Sequence, residues 1–136
     1  MTTGLLFGTF DGLHEGHIAM LTEARTHAPR IIIALPKDTN VLAAKGHLPM
    51  FSWNERASGL QESGLVHDIY AGDDVLGEYH ILDQVKPDVI LLGYDQTELS
   101  LSLKQYFVLH PESTLPMITL APHQPDRYKS SLLNPV

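Results

Sequence analysis

The chain has 136 residues, enough for one domain with a single hydrophobic core, which we place over residues 1–136. A formal net charge of −7 argues against nucleic-acid binding, which needs a basic surface, and against binding to an anionic membrane. Because there is no cysteine, disulfides, zinc-thiolate sites and thiol nucleophiles are excluded. The sequence has neither a signal-like start nor a run of about 18 apolar residues, so we expect a cytoplasmic protein.

The first predicted elements are a buried strand, a glycine-rich loop and a helix. The apolar run 4–7 favours the strand, and a helical pattern of apolar residues begins at Ile18. Free amides at the start of that helix, with the positive end of its dipole, are suited to bind an anion. His14 and His17 are three residues apart, so they project from one side of a helical turn toward the same anion. We therefore predict a phosphate site with two imidazole donors.

The spacing of glycines and histidines excludes other loops of similar composition. Gly8, Gly12 and Gly16 match neither the GxGxxG of dinucleotide-binding folds nor the Gly-Lys-Ser/Thr of a P-loop. His14 and His17 are also one residue too close for the zincin motif, whose histidines are four apart. Two incidental histidines at a helix cap are the simpler alternative.

The rest of the chain alternates strands with helices. Further strands are predicted at 30–35, 66–71, 88–92 and 116–121. Helices are predicted from Ile18 to about 27–29, and at 52–63, 73–85 and 97–109. Residues 41–50 are interpreted as a mobile basic loop. Five strands alternating with helices predict an α/β fold, a single Rossmann-like domain whose five-stranded parallel sheet has helices on both faces.

Loops at the carboxyl ends of the strands are expected to line the ligand site, as in other open parallel sheets. Residues 36–40 follow the second strand, and Gly93-Tyr94-Asp95-Gln96 follows the fourth. The Asp95 carboxylate can accept a hydrogen bond from a ribose hydroxyl or a base amine. Capping of the next helix is the alternative role for Asp95.

The string Gly8-Thr9-Phe10-Asp11, followed by His14-Glu15-Gly16-His17, resembles the signature of the cytidylyltransferase-like nucleotidyltransferase superfamily. The resemblance extends over nearly the whole chain and implies the sheet order 3-2-1-4-5. It also implies transfer of a nucleotidyl group from a nucleoside triphosphate to a phosphate monoester, with release of pyrophosphate, and a homodimer. Because the acceptor phosphate is already ionised at neutral pH, such catalysis depends on positioning and charge stabilisation.

The resemblance implies roles for individual residues. The catalytic residues would be His14, His17, Lys45 and Arg56. The nucleotide would be held by Gly8, Thr9, Phe10, Gly16, Gly93 and Asp95, and by Arg127, Tyr128, Ser130 and Ser131 of a C-terminal serine motif. The acceptor would contact Asp11, Lys45 and Trp53. The alternatives are ordering of the loop for Asp11, a solvated lysine for Lys45, a surface ion pair for Arg56, core packing for Trp53 and a frayed tail for the serines.

The substrates follow from a narrower similarity. Gly93-Tyr94-Asp95-Gln96 and Tyr128-Lys129-Ser130-Ser131 are similar to archaeal-type FAD synthases, small enzymes that adenylylate FMN. Glycerol-3-phosphate cytidylyltransferases usually have tryptophan in place of Gln96. The similarity therefore implies ATP and FMN, with Mg²⁺ or another divalent cation carried on the triphosphate rather than in a protein cage. The alternatives are a CTP-dependent enzyme like the glycerol-3-phosphate cytidylyltransferases, or a nucleotide-binding module that has lost catalysis.

Overall fold

The computed structural model describes residues 1–75 and 77–122. Its strands are β1 (Thr3–Phe7), β2 (Arg30–Leu35), β3 (Asp68–Ala71), β4 (Val89–Leu92) and β5 (Met117–Thr119). Its helices are α1 (Glu15–His27), α2 (Asp38–Lys45), α3 (Trp53–Glu62), α4 (Ile81–Val85) and α5 (Thr97–Leu109), and a 3₁₀ turn spans Pro111–Ser113. The strands form a five-stranded parallel sheet in the order β3-β2-β1-β4-β5, which confirms the predicted topology.

Two hydrophobic cores form on opposite faces of the sheet because successive side chains of a strand point to opposite sides. Leu6 of β1 packs with residues of α1 and α3, such as Leu21 and Leu60. Its neighbour Leu5 packs in the second core, with residues of α4 and α5 such as Leu82 and Leu103. The predicted helices on both faces are thus confirmed. Among the helices of the described residues, none is long and apolar enough to cross a membrane.

Two segments differ from the sequence prediction. The prediction of a loop at 41–50 was wrong in its first half, where α2 forms, with Asp38 and Lys45 placed to complement the helix dipole. This helix ends at Gly46, whose left-handed φ of 81° suits a glycine C-cap. The prediction of a helix from residue 73 was also wrong, because α4 begins only at Ile81. The Asp73 carboxylate accepts hydrogen bonds from the His80 and Ile81 amides, so it caps α4 from outside the helix.

The sheet order places a crevice beside β1. This strand pairs with β2 on one side and with β4 on the other, so the connection after β1 leads toward β2, whereas the connection after β4 leads the other way, toward β5. Loops after β1 and β4 therefore separate at their carboxyl ends, which is where open parallel sheets bind ligands.

Candidate functional site

A cavity of about 700 Å³ opens at this crevice, lined by the loops after β1, β4 and β5, the first turn of α1 and the end of α2. Ten of the predicted site residues line it: Gly8, Thr9, Phe10, Asp11, His14, Gly16, His17, Lys45, Gly93 and Asp95. Arg56 and Trp53 do not line it. The predicted Arg127, Tyr128, Ser130 and Ser131 lie outside the described residues.

The two motif histidines lie face to face in this cavity. Their ring centroids are 3.8 Å apart and their planes are inclined by 21°. His14 is the N-cap of α1, and its Nδ1 accepts a hydrogen bond from the Gly16 amide at 3.0 Å. Because Nδ1 accepts, a neutral His14 ring carries its proton on Nε2 and can donate it to a ligand. The second ring stacks against this oriented donor.

The His17 ring is held in its uncharged form. Burial, together with the charge of His14, lowers the pKa of His17 from 6.5 to about 4, and the Gly12 backbone opposes that shift by less. The Phe10 ring packs against it, with a centroid distance of 5.2 Å. At neutral pH, His17 therefore offers an N–H donor or a lone pair to a ligand, not a fixed positive charge.

Two glycines of the motif leave room for these rings. A Cβ on Gly8 would lie 2.6 Å from Cε2 of Phe10, and a Cβ on Gly16 would lie 2.9 Å from Cε1 of His14. Phe10 itself has a φ of 49°, a left-handed conformation that non-glycine residues seldom adopt. The Gly-Thr-Phe-Asp and His-x-Gly-His spacing is thus a packing requirement of the cavity wall.

Lys45 supplies a positive charge to the cavity. It is the last residue of α2, and Gly46 follows it as the C-cap. Within the described part of the chain, Lys45 Nζ forms no hydrogen bond or ion pair, whereas Lys37 is paired with Asp74. The Lys45 ammonium is therefore available to an anionic ligand.

The structure places Arg56 away from the cavity, in contrast to its predicted contact with phosphate. Its side chain is buried, with 2% exposure, so it is not a surface ion pair either. The guanidinium donates to the carbonyls of Phe51, Thr9 and Pro36, and it forms an ion pair of 2.7 Å with Asp38. Arg56 therefore joins the loops that follow β1 and β2 and the segment before α3.

Asp11 and Trp53, both predicted to contact the acceptor, are engaged within the protein. The Asp11 carboxylate accepts hydrogen bonds from the amides of Met50 at 2.7 Å and Phe51 at 2.8 Å. The Met50 amide is the largest cause of the lowered pKa of Asp11. Trp53 Nε1 donates to the Leu35 carbonyl at 2.9 Å, and its ring packs against the core. Asp11 thus orders the segment before α3, and Trp53 is a packing residue.

The loop after β4 adds two cavity residues that were not among the predicted site residues, Tyr94 and Gln96. The Gln96 amide joins this loop to the end of β1, accepting from the Gly93 amide and donating to the Phe7 carbonyl. The carboxylate of Asp95 caps no helix amide among residues 1–75 and 77–122, so it is available to a ligand. The signal for Tyr94 and Gln96 was their position at a strand end.

The described residues contain no group of three or more histidines, aspartates and glutamates that could hold a metal ion. Of the residues that the structure describes, two contribute carboxylates to the cavity, Asp11 and Asp95, and the Asp11 carboxylate is occupied by backbone amides. This donor set is compatible with a cation bound mainly by phosphate oxygens, since Mg²⁺ commonly uses one or two carboxylates together with a substrate's phosphates.

Comparison with known proteins agrees with this geometry. Residues 5–125 match the family model described as Cytidylyltransferase-like. The FAD synthase of Thermococcus sibiricus is 35% identical over 89 residues, which cover 65% of this chain and 60% of that protein. The FAD synthase of Methanosarcina barkeri is 35% identical over 96 residues, covering 71% and 67%. The matched segment thus spans about 60% of the length of the first of these relatives.

A solved structure shares the fold. The lipopolysaccharide core biosynthesis protein from Thermoplasma volcanium GSS1 superposes with a TM-score of 0.74 at 28% identity, over 90% of this chain and 98% of that one. The family match extends from β1 past β5 and includes the whole described wall of the cavity. The chain belongs to the cytidylyltransferase-like family.

Proposed function

We propose that the protein is an FMN adenylyltransferase, which transfers the adenylyl group of ATP to FMN and releases pyrophosphate. The stacked His14–His17 pair shares a cavity of about 700 Å³ with Lys45, which has no partner among the described residues, and this is the observation that carries the proposal. Similarity to two proteins named FAD synthase supports ATP and FMN over other substrate pairs.

The reaction needs little acid–base chemistry from the protein. A phosphate oxygen of FMN attacks the α-phosphorus of ATP, the bond to the α,β-bridging oxygen breaks, and pyrophosphate leaves with the electron pair. Since the attacking oxygen is already ionised, the protein's task is to align the groups and to stabilise charge on the leaving oxygens.

The cavity residues divide that task. His14 Nε2–H and an N–H of His17 would donate to triphosphate oxygens, with His17 nearest the α-phosphate. The Lys45 ammonium would neutralise charge that moves toward pyrophosphate. The backbone of Gly8 and Thr9 would hold the nucleotide phosphates. The Asp95 carboxylate, in the loop after β4, would accept a hydrogen bond from the nucleoside.

A divalent cation would enter with the nucleotide. It would be held by triphosphate oxygens, and it would neutralise part of the phosphate charge. His14, His17 and Lys45 would then contact the oxygens that the cation leaves uncovered.

A pyrophosphate-release screen tests the proposal. ATP and CTP would each be combined with FMN, glycerol 3-phosphate, phosphoethanolamine and phosphopantetheine, in the presence of Mg²⁺. We expect release with ATP and FMN, and FAD as the second product. Release only with CTP and glycerol 3-phosphate would replace the proposed substrates. Binding of ATP without release from any acceptor would instead identify a nucleotide-binding module.

The proposal includes a cytoplasmic homodimer. Sedimentation equilibrium would measure the mass in solution, and a mass equal to that of one chain would contradict the dimer.

A further inference from the structure

We infer that Gln96 is a positioning residue that sets the distance between two walls of the cavity and thereby the affinity for nucleotide. The β1 wall is the loop that follows β1, from Gly8 to Gly12, and the β4 wall is the loop that follows β4, from Gly93 to Gln96. The inference rests on the proposed function, because it assigns the cavity to a nucleoside triphosphate. Beyond the proposed function, it requires one side chain that donates a hydrogen bond at the start of the β1 wall and accepts one from the β4 wall.

The Gln96 amide lies where the sheet comes apart. Parallel pairing between β1 and β4 runs as far as Leu6 opposite Leu91. Beyond that pair, Gln96 Nε2 donates to the Phe7 carbonyl at 2.8 Å, and Gln96 Oε1 accepts from the Gly93 amide at 2.8 Å. The side-chain amide thus links the two strands just past the end of their backbone pairing.

Both groups that Gln96 holds lead directly into the cavity. The Phe7 carbonyl belongs to the peptide bond with Gly8, which begins the glycine-rich loop. Gly93 begins the loop that carries Asp95, and a Cβ on Gly93 would lie 3.2 Å from Oδ1 of that residue. Loss of the Gln96 bridge would therefore shift the β1 wall, which would hold the phosphates, relative to the β4 wall, which would hold the nucleoside.

Gln96 makes no comparable contribution to its own helix. It is the N-cap residue of α5, but its side chain forms no capping hydrogen bond. Serine, threonine, aspartate and asparagine are the residues that most often cap the start of a helix. The residue at this position thus serves the bridge between the walls and leaves the helix without a side-chain cap.

Gln96→Glu removes the hydrogen-bond donor of this side chain and keeps an acceptor. At pH 7.5 the introduced carboxylate can still accept from the Gly93 amide, but it cannot donate to the Phe7 carbonyl. We expect Mg·ATP affinity, measured by calorimetry without any acceptor, to fall about tenfold or more, the combined effect of one lost hydrogen bond, an unpaired carbonyl and a negative charge introduced into the cavity. Gln61→Glu, the same change at an exposed position of α3, should leave the affinity unchanged.

Acid should restore the bridge in this variant. Once protonated, the introduced carboxyl again carries a donor and an acceptor, so the affinity ratio of wild type to Gln96→Glu should return toward one between pH 7.5 and pH 5. The other titratable groups that line the cavity are shared by both proteins, so they largely cancel in the ratio. In the described part of the chain these are Asp11, His14, His17, Lys45, Tyr94 and Asp95. Gln96→Leu, which has no such group, should stay about tenfold or more weaker at both pH values.

The outcomes separate this inference from the proposed function. Wild-type affinity in Gln96→Glu at pH 7.5, or a ratio that does not change with pH, would overturn the role of Gln96. Wild-type affinity in Gln96→Leu would also overturn it, because a loss confined to Gln96→Glu would come from repulsion between the introduced carboxylate and the triphosphate. This second test stands even if Gln96→Glu does not fold, as judged by circular dichroism. Wild-type protein that binds Mg·ATP but releases no pyrophosphate with FMN would overturn the proposed activity alone. Failure of the wild type to bind any nucleotide would overturn both.

Discussion

The imidazole rings of His14 and His17 are stacked with their centroids 3.8 Å apart, and one of them is anchored by the Gly16 amide. Two positively charged rings at this distance would repel each other, which is one cause of the lowered pKa of His17. At neutral pH the half-buried His17 ring therefore presents an N–H group or a lone pair to a ligand without the cost of a charge on that ring. Under the proposed function, N–H groups of the two rings would stabilise charge on the triphosphate.

Replacing His17 with alanine should remove one of these donors from the reacting phosphates. We expect His17→Ala to fold normally and to lose roughly a hundred- to thousand-fold in the rate of pyrophosphate release, the usual cost of one such donor. A continuous pyrophosphate assay gives the rate, and circular dichroism checks the fold. His27→Ala, at the last turn of α1, is the matched control and should retain the wild-type rate. Equal rates in His17→Ala and wild type would refute the mechanism.

Acid should destabilise the protein partly through His17. Its pKa is 6.5 in an unfolded chain and about 4 in the fold, so between these values the unfolded chain binds more protons. The free energy of unfolding therefore falls as the pH is lowered from about 6.5 to about 4. In His17→Gln, which does not titrate there, urea denaturation at pH 7 and pH 4.5 should show a smaller decrease than in wild type. Parallel decreases would contradict the pKa assignment.

Arg56→Lys should be destabilising because an ammonium cannot reach every partner of the guanidinium. The carbonyls of Thr9 and Pro36 would be left without donors in a buried site. We expect a loss of about 2–3 kcal/mol in the free energy of unfolding by urea. Arg25→Lys, on an exposed position of α1, should change it by less than about 0.5 kcal/mol. A stable Arg56→Lys variant with reduced affinity for triphosphate would favour a phosphate contact instead.

Lys45→Ala should show the opposite pattern, with activity lost and stability kept. Since Lys45 Nζ has no hydrogen bond or ion pair to the rest of the described chain, its removal leaves no described group unpaired. We expect kcat/KM for ATP to fall roughly a hundred-fold and the Tm to change by less than about 2 °C. Lys104→Ala, at an exposed position of α5, controls for the loss of one positive charge. Unchanged kcat/KM would remove Lys45 from the site.

The sequence by itself determined the features that depend on nearby residues. The β1–loop–α1 junction follows from an apolar run, glycines and a helical period within residues 4–24. The capping box of α3 joins Ser52 to Glu55, three residues away, and it forms as predicted. The parallel sheet order followed from the family resemblance, which the same short junction carries.

Only the tertiary structure decided what Arg56, Asp11 and Gln96 do. Arg56 bonds to Thr9, 47 positions away, and Asp11 bonds to Met50, 39 positions away. Gln96 reaches Phe7 across 89 positions. In the sequence, an arginine or glutamine that binds a phosphate looks the same as one that binds a backbone carbonyl. The partner of such a side chain depends on which loops the sheet brings together, and a local pattern of residues does not predict contacts between loops that are far apart in the sequence.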